Sequence, residues 1–474
     1  MLGGKIVATV AGVVGTILVV NLLDKLEYGE AIDAFLIVYS VSQITTLGIG
    51  QFIVVKARDR RDLAFHATAI HLTLGVVALI SVWVFREPLD ELVGAPGMGR
   101  FVAWMGLAMM IDRISLVPER VLMRNMQFRV VAIARTFGEF AYIGVSISLA
   151  YVGWGGMAIV IGNVVRSAIR ASLMIRSTDR RDWLEPTKLR LASVLEMFRF
   201  SGPIWIAALA SFAGRRWDNL LVSGFYGAGT MGDYNIAYNL AENPPVVTEQ
   251  AIDVLLPSFS RLDAGQRVAG LIRSLSLMSF ITSPLVIGLG AIAPSLVEAL
   301  FAAERADVAP MLAVLSAMSV TRPLTWTCTA YFQATDRPRI VMGLEVMNIV
   351  VLLSAIAIAA QSSVIWVCVA VGIASALRAL VTALVLRKVE RIGLWQFLEP
   401  QLRPVLATLP MVGWVLAVRY GVAQAGVAPV VRLLLEIAAG GLGYVAGAWV
   451  FAHATFRDAL DLIRRALNRR REAA

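Results

Sequence analysis

Lysine and arginine fill every second gap between this chain's apolar stretches and are scarce in the gaps between, an alternation that a membrane imposes and a soluble fold does not. Fourteen stretches are long enough to cross a hydrocarbon core of about 30 Å, which takes about 20 helical residues. They lie near 4–23, 32–55, 66–85, 100–118, 130–152, 154–175, 201–225, 234–257, 272–297, 308–334, 339–361, 363–386, 404–423 and 430–452. One set of gaps holds Lys56, Arg58, Arg60 and Arg61; Arg120, Arg124 and Arg129; Arg176, Arg180, Arg181, Lys188 and Arg190; Arg261, Arg267 and Arg273; Arg337 and Arg339; Arg387, Lys388, Arg391 and Arg403; then a basic tail. The other set holds only Lys25, Arg86, Arg100, Arg305, Arg419 and Arg432. The positive-inside bias therefore predicts an all-α polytopic membrane protein with both termini in the cytoplasm.

The net charge of +10 is then a mark of topology. No soluble domain is available to carry a nucleic-acid-binding face, so nucleic acid is not an expected partner. The tail 455–471 reads as an amphipathic helix resting on anionic lipid, with Phe456, Leu460, Ile463 and Leu467 on one stripe and arginines opposite. Cys328 and Cys368 fall inside predicted spans, and His66, His71 and His453 show no metal-ligand spacing, so neither a disulfide nor a metal site is expected. No catalytic motif or Gly-rich phosphate loop stands out.

The longest polar gap divides the stretches into six and eight. The expected organisation is a first lobe at 1–176, a cytoplasmic linker at 177–200 with an amphipathic run from Leu189 to Phe200, a second lobe at 201–387, and a last helix pair and tail at 388–474. Internal similarity supports two parallel six-helix repeats. Tyr28-Gly29 with Phe35 matches Met231-Gly232 with Tyr238, and Asp112-Arg113 matches Thr321-Arg322. Gln127-Phe128-Arg129 matches Asp336-Arg337-Pro338-Arg339, each leading a helix with one acid, Glu139 or Glu345. Glycines at 12, 15, 440, 441, 443 and 447 are expected to allow close helix approach.

Arginines at bilayer depth are costly unless they meet water or a partner, about 2.5 to 3.5 kcal/mol each on insertion scales. Arg166, Arg170 and Arg199 can reach cytoplasmic headgroups. Arg113, Arg322, Arg215 and Arg216 lie deep in apolar stretches, and Arg378 joins them. They are the candidates to line a hydrated, cationic cavity, one matching arginine from each half. Local pairing is the plainer alternative, Arg215 with Asp218 and Arg135 with Glu139. The eighth stretch adds Tyr234, Tyr238, Asn239 and Asn243 as candidate polar lining, with a break expected at Pro244-Pro245. Asp112, Glu139, Glu242 and Glu345 are the buried acids available to couple H⁺ or Na⁺; structural pairing explains them equally.

These residues carry a family likeness. The segment 118–170, with Leu122-Met123-Arg124, Phe128-Arg129, Glu139 and Gly153-Trp154-Gly155, resembles the Wzx-type polysaccharide flippases of the multidrug/oligosaccharidyl-lipid/polysaccharide superfamily. So do Phe200-Ser201-Gly202-Pro203, Trp217-Asp218-Asn219-Leu220, Gly232-Asp233-Tyr234-Asn235 and Leu256-Pro257-Ser258-Phe259, and the likeness covers roughly residues 5 to 390. The resemblance implies two six-helix lobes in a V that alternate access, plus a helix pair similar to that of lipid II flippases. It implies a transporter, not an enzyme, in the bacterial cytoplasmic (inner) membrane, carrying an undecaprenyl-diphosphate-linked oligosaccharide to the outer leaflet without a cofactor. The bilayer and a polysaccharide polymerase or assembly complex are the partners it implies. A lipid II flippase and a cation-coupled drug antiporter of the same superfamily are the alternatives, though a drug antiporter would favour an acidic cavity. A membrane polymerase or ligase would show a large outer loop, which is absent here.

Overall fold

The computed structural model describes residues 12, 14–56, 61–188, 190–261, 263–423 and 426–461. Among these the regular secondary structure is helical throughout. The chain divides into two compact units, Met1–Asp233 and Tyr234–Ala474. The stretch near 201–225 groups with the first unit. Ten helices among the described residues are long and apolar enough to span a membrane. Residues 4–11 and 13 of the first predicted stretch lie outside the described residues, as does the tail beyond residue 461.

The first unit contains α1 (Lys25–Thr46), α2 (Ile49–Lys56), α3 (Arg61–Val84), the short α4 (Arg86–Val93), α5 (Gly99–Arg124), α6 (Phe128–Tyr151) and α7 (Met157–Arg176). The predicted stretch 32–55 is two helices. Asp24 caps α1 by accepting from the Leu26 amide at 2.9 Å, and Leu47 and Gly48 end it with left-handed φ of 51° and 66°. Glu27, Glu30 and Asp33 thus belong to a helix, and Glu30 and Asp33 are buried against protein.

The linker is docked. Trp183 and Met197 are buried with Phe52, Leu63 and Val121, and Thr68 donates to the Trp183 carbonyl at 3.3 Å. Leu189 lies outside the described residues, and from Leu191 the predicted amphipathic run is the start of the long helical segment α8 (Leu191–Arg261), which continues directly into the apolar stretch behind it. That segment is interrupted at Gly227, with φ 81° and ψ 165°, and helical backbone runs through Pro244-Pro245. The expected proline break is therefore displaced to a glycine, whose missing Cβ permits a conformation closed to other residues. Pro tolerates helical φ, and what it removes is the N–H.

The second unit continues with α9 (Ala264–Leu300), α10 (Val308–Met318), a 3₁₀ turn at Ser319–Thr321, α11 (Arg322–Ala334), α12 (Pro338–Ala359), α13 (Val364–Glu390), α14 (Leu394–Leu406), α15 (Thr408–Ala423) and α16 (Pro429–Phe451). The turns after α5 and α11 are copies of each other. Met126 and Asp336 both have φ 58°, and the following amides bond five residues back, Gln127 to Leu122 at 2.9 Å and Arg337 to Phe332 at 2.8 Å. Measured from those turns, Arg113 and Arg322 match with a slip of one residue, and the 3₁₀ turn lies just before Arg322.

Glycines let α16 lie against the α14–α15 join. A Cβ on Gly447 would stand 2.1 Å from the Ala407 carbonyl oxygen and one on Gly443 2.9 Å from Met411 Cα, whereas Gly441 faces open space. The expectation of close approach holds for Gly15, where a Cβ would stand 2.7 Å from Ile143 Cγ1, and for Gly440, Gly443 and Gly447, and not for Gly12 or Gly441. Gly447→Val is expected to lower the unfolding temperature of the detergent-solubilised protein and Gly441→Val to leave it unchanged; equal temperatures would refute the close contact.

Candidate functional site

Helices α1, α5, α6, α7 and the start of α8 enclose a polar cavity of about 320 Å³ in the first unit. Its lining includes Arg113, Arg120, Arg135 and Arg170, faced by Asp112 and Glu119. Four guanidinium groups against two carboxylates leave a surplus of two positive charges. Tyr39, Gln43 and Trp205 supply further polar and aromatic wall.

Arg113 is 4% exposed and is held by neutral oxygens. Its Nε donates to Ser42 Oγ at 3.2 Å, Nη1 to the His71 carbonyl at 3.0 Å, and Nη2 to the Ser42 carbonyl at 2.6 Å and to Thr45 Oγ1. Gly75 makes the room, since a Cβ there would lie 2.6 Å from Arg113 Cδ. Asp112, the adjacent residue, points to Arg170 at 3.8 Å.

The intrahelical pair Arg135–Glu139 does not form. Arg135 of α6 reaches Glu119 of α5 at 2.5 Å, Arg170 of α7 approaches the same carboxylate at 3.8 Å, and Glu139 meets Arg166 at 3.7 Å. A Glu119 carboxylate that is almost wholly buried attracts both cations, and one network ties three helices. Arg166 and Arg170, expected at headgroups, are drawn inward by these acids.

Arg120 stands apart. Among the described residues its polar contact is a weak one to Met123 Sδ at 3.7 Å, its Nε is buried without a partner, and no carboxylate lies within ion-pair distance. It lies against Gly50, where a Cβ would stand 2.8 Å from Nε.

In the second unit Arg322 meets Glu242 at 3.3 Å beside a small recess lined by Tyr238, Ser319 and Ser375, and Arg378 of α13 meets Glu345 of α12 at 2.5 Å. The two single acids that matched in sequence thus each pair with an arginine on the following helix. Tyr234 and Tyr238 are buried with ring centroids 5.8 Å apart, and Asn239 donates to Asn235 at 2.9 Å. Arg215 is exposed and Arg216 half-buried; the Asn243 side chain lies outside the described residues. Asp218, expected beside Arg215, is fully buried and accepts from Asn219 at 2.9 Å.

Sequence reasoning passed over Arg120, which it placed in a basic loop, and the buried acids Glu30, Asp33, Glu119, Asp233 and Glu436. The spacing of Glu27, Glu30 and Asp33 at i, i+3 and i+6 was the available signal, a single helix face. Cys328 and Cys368 are buried and unbonded to each other, and among the described residues no group of three His, Cys, Asp or Glu side chains is placed to hold a metal.

Residues 18–310 match the model of a family described as polysaccharide biosynthesis protein. The chain is 21% identical over 353 residues to the lipopolysaccharide biosynthesis protein WzxC of Escherichia coli (strain K12), covering 74% of this chain and 72% of that one. It is 23% identical over 358 residues to the succinoglycan biosynthesis transport protein ExoT of Rhizobium meliloti (strain 1021), with the same shares covered. Among solved structures it resembles the lipid II flippase MurJ in an inward closed conformation, with a TM-score of 0.78 and 14% identity over 97% of this chain and 100% of that one. It also resembles an inward-facing multidrug resistance MATE family transporter of the MOP superfamily, with a TM-score of 0.67 and 15% identity over 81% and 94% of the two chains. At such identities the structural likeness speaks for the fold, which is the one the sequence resemblance implied.

Proposed function

The chain belongs to the polysaccharide biosynthesis protein family, and from that membership we propose that it is a flippase carrying a polyprenyl-diphosphate-linked oligosaccharide across the bacterial cytoplasmic membrane, a transporter and not an enzyme. The single observation that carries this reading is the surplus of positive charge in the cavity of the first unit, with Arg120 unmatched by any acid among the described residues. A diphosphate brings charge of the opposite sign, and guanidinium forks give its oxygens paired donors. The cavity volume lies near the lower end of ligand pockets, about 300 to 1,000 Å³. It suits a charged head better than a whole glycan. The polyprenyl tail can stay in lipid, where the outer faces of the helices present Trp83, Val350, Trp366 and Leu442.

The alternation of basic gaps supports cytoplasmic termini, so that transport runs from the inner to the outer leaflet by alternating access, driven by H⁺ or Na⁺. A polymerase or assembly complex would then receive the glycan. The drug-antiporter reading is disfavoured by the cavity's sign of charge. The lipid II reading shares the same diphosphate head, and likeness to MurJ along nearly the whole chain favours it as the second reading.

Complementation tests the proposal. In a strain lacking its own polysaccharide flippase, this chain is expected to restore surface glycan and clear the lipid-linked precursor from the inner leaflet. Rescue of a strain depleted of its lipid II flippase would favour the second reading, and rescue of neither would overturn both.

A further inference from the structure

The four acids nominated for ion coupling are all matched with arginines, at 3.8 Å for Asp112, 3.7 Å for Glu139, 3.3 Å for Glu242 and 2.5 Å for Glu345. Protonating Glu139, Glu242 or Glu345 would take from a guanidinium the carboxylate it is paired with, and protonating Asp112 would leave Arg170 to share Glu119 with Arg135. Asp33 is different. It is 0% exposed, accepts from Ser223 Oγ at 2.5 Å through Oδ2, and leaves Oδ1 with no partner.

Among the described residues no cation lies within ion-pair distance of Asp33, and the nearby ones are held by other acids. On α1 itself Glu30, one turn earlier, takes the Arg100 guanidinium of α5 at 2.9 Å and the Gly97 amide at 3.1 Å. Lys25, at the start of α1, pairs with Asp233 at 2.5 Å. Elsewhere in the unit Asp90 of α4 is bonded to the Gly99 amide at 3.2 Å, Asp218 of α8 accepts from Asn219, and the buried His71 of α3 lies beside Arg113. None sets a positive charge within ion-pair distance of Asp33. A bare carboxylate there is costly, whereas the neutral acid both donates and accepts.

The position is a seam. Along its length α1 lies against the first part of α8, with Trp217 Nε1 on Ser40 Oγ at 3.3 Å, Trp205 Nε1 on the Gln43 carbonyl at 3.3 Å, and Tyr39 against Phe212 at 5.2 Å. Near Asp33 the backbones almost touch, since a Cβ on Gly29 would stand 1.9 Å from the Ala228 carbonyl oxygen. Opening the seam would admit water to the carboxyl, and water favours the charged form.

We propose that Asp33 is the proton-binding carboxyl of transport: it holds a proton while α1 lies against α8, and gives it to water when the two helices part. Proton binding and seam closure then favour each other, as linkage requires. The proposal rests on the transport reading above. A metal cation is a poorer occupant, because the carboxylate and one hydroxyl supply too few of the oxygens that hard cations collect.

Infrared spectroscopy of the full chain in lipid nanodiscs tests it. A protonated-carboxyl band at neutral pH is expected to shift when aspartate, but not glutamate, carries a heavy-carbon label, to vanish in Asp33→Asn and to return in Asp33→Glu. Once corrected for the intrinsic pH dependence of amide exchange, hydrogen–deuterium exchange in α1 and residues 201–226 is expected to lose protection as pH rises in the wild type and to keep a constant protection in Asp33→Asn. Glycan display is expected to fall about tenfold or more in Asp33→Asn. A band indifferent to the aspartate label, a band that responds to Na⁺ at fixed pH, or normal display in a folded Asp33→Asn protein would each overturn the assignment. Failure of the wild-type chain to support any display would instead remove the transport reading, and the infrared result on Asp33 would remain.

Discussion

Arg120→Ala will cut glycan display by about tenfold or more while leaving the amount of folded chain in the membrane unchanged. Removing this side chain orphans no acid among the described residues, and the weak contact to Met123 Sδ is a small loss. What disappears is half of the cavity's surplus charge. A hydrogen bond to a charged partner contributes about 1.5 to 3 kcal/mol, and every 1.4 kcal/mol is about tenfold in affinity. Arg120→Lys should recover part of the display, since it keeps the charge and loses the fork. Arg113→Ala will behave differently. It strips donors from two buried carbonyls and from Ser42 and Thr45 hydroxyls, so less folded protein should reach the membrane and display should fall with it. Display by glycan staining, set against chain abundance in the membrane fraction, separates the two. Normal display in Arg120→Ala would remove that residue from anion recognition.

That contrast also shows where the sequence could be read and where it could not. Apolar length and the basic gaps marked the helices because both properties are local, and every predicted stretch from 66–85 onward is helical over nearly all its length. The stretch at 32–55 was drawn too late because hydropathy penalises Glu27, Glu30 and Asp33, and it cannot tell a helix face turned to lipid from one turned to protein. Arg113 was legible as an anomaly in an apolar run. Its ligands were not, since Ser42 and His71 lie on other helices and their carbonyls leave no trace in residue identity. Arg120 was hidden by its company, for Arg124 and Arg129 made the segment read as a loop, while the helix persists to Arg124. The local pair Arg135–Glu139 was a sound guess by spacing alone, and it lost to Glu119, a buried carboxylate with two cations at hand. The correspondence of Glu139 with Glu345 survived because a single acid in an apolar helix is conspicuous wherever the helix packs.

Glu436→Ala will be among the most destabilising single changes in the second unit. Glu436 is 0% exposed on α16 and holds the α15 residue Arg419 through two bonds of 3.1 Å, while Ser295 of α9 donates to it at 2.6 Å. Arg419 also donates to the Ala291 carbonyl of α9, so one carboxylate clasps the terminal helix pair to its neighbour. Deleting it leaves a mostly buried guanidinium uncompensated, a loss of about 3 to 5 kcal/mol. The loss comes from stranding a charge, and that origin has its own signature. Replacing both partners, as Arg419→Met with Glu436→Leu, should restore much of the unfolding temperature of the detergent-solubilised protein, because well-packed apolar groups can match a buried ion pair. A double variant as unstable as Glu436→Ala alone would mean that the clasp acts through shape and hydrogen bonding to α9, and an unchanged single variant would mean that Gly443 and Gly447 packing alone holds the pair in place.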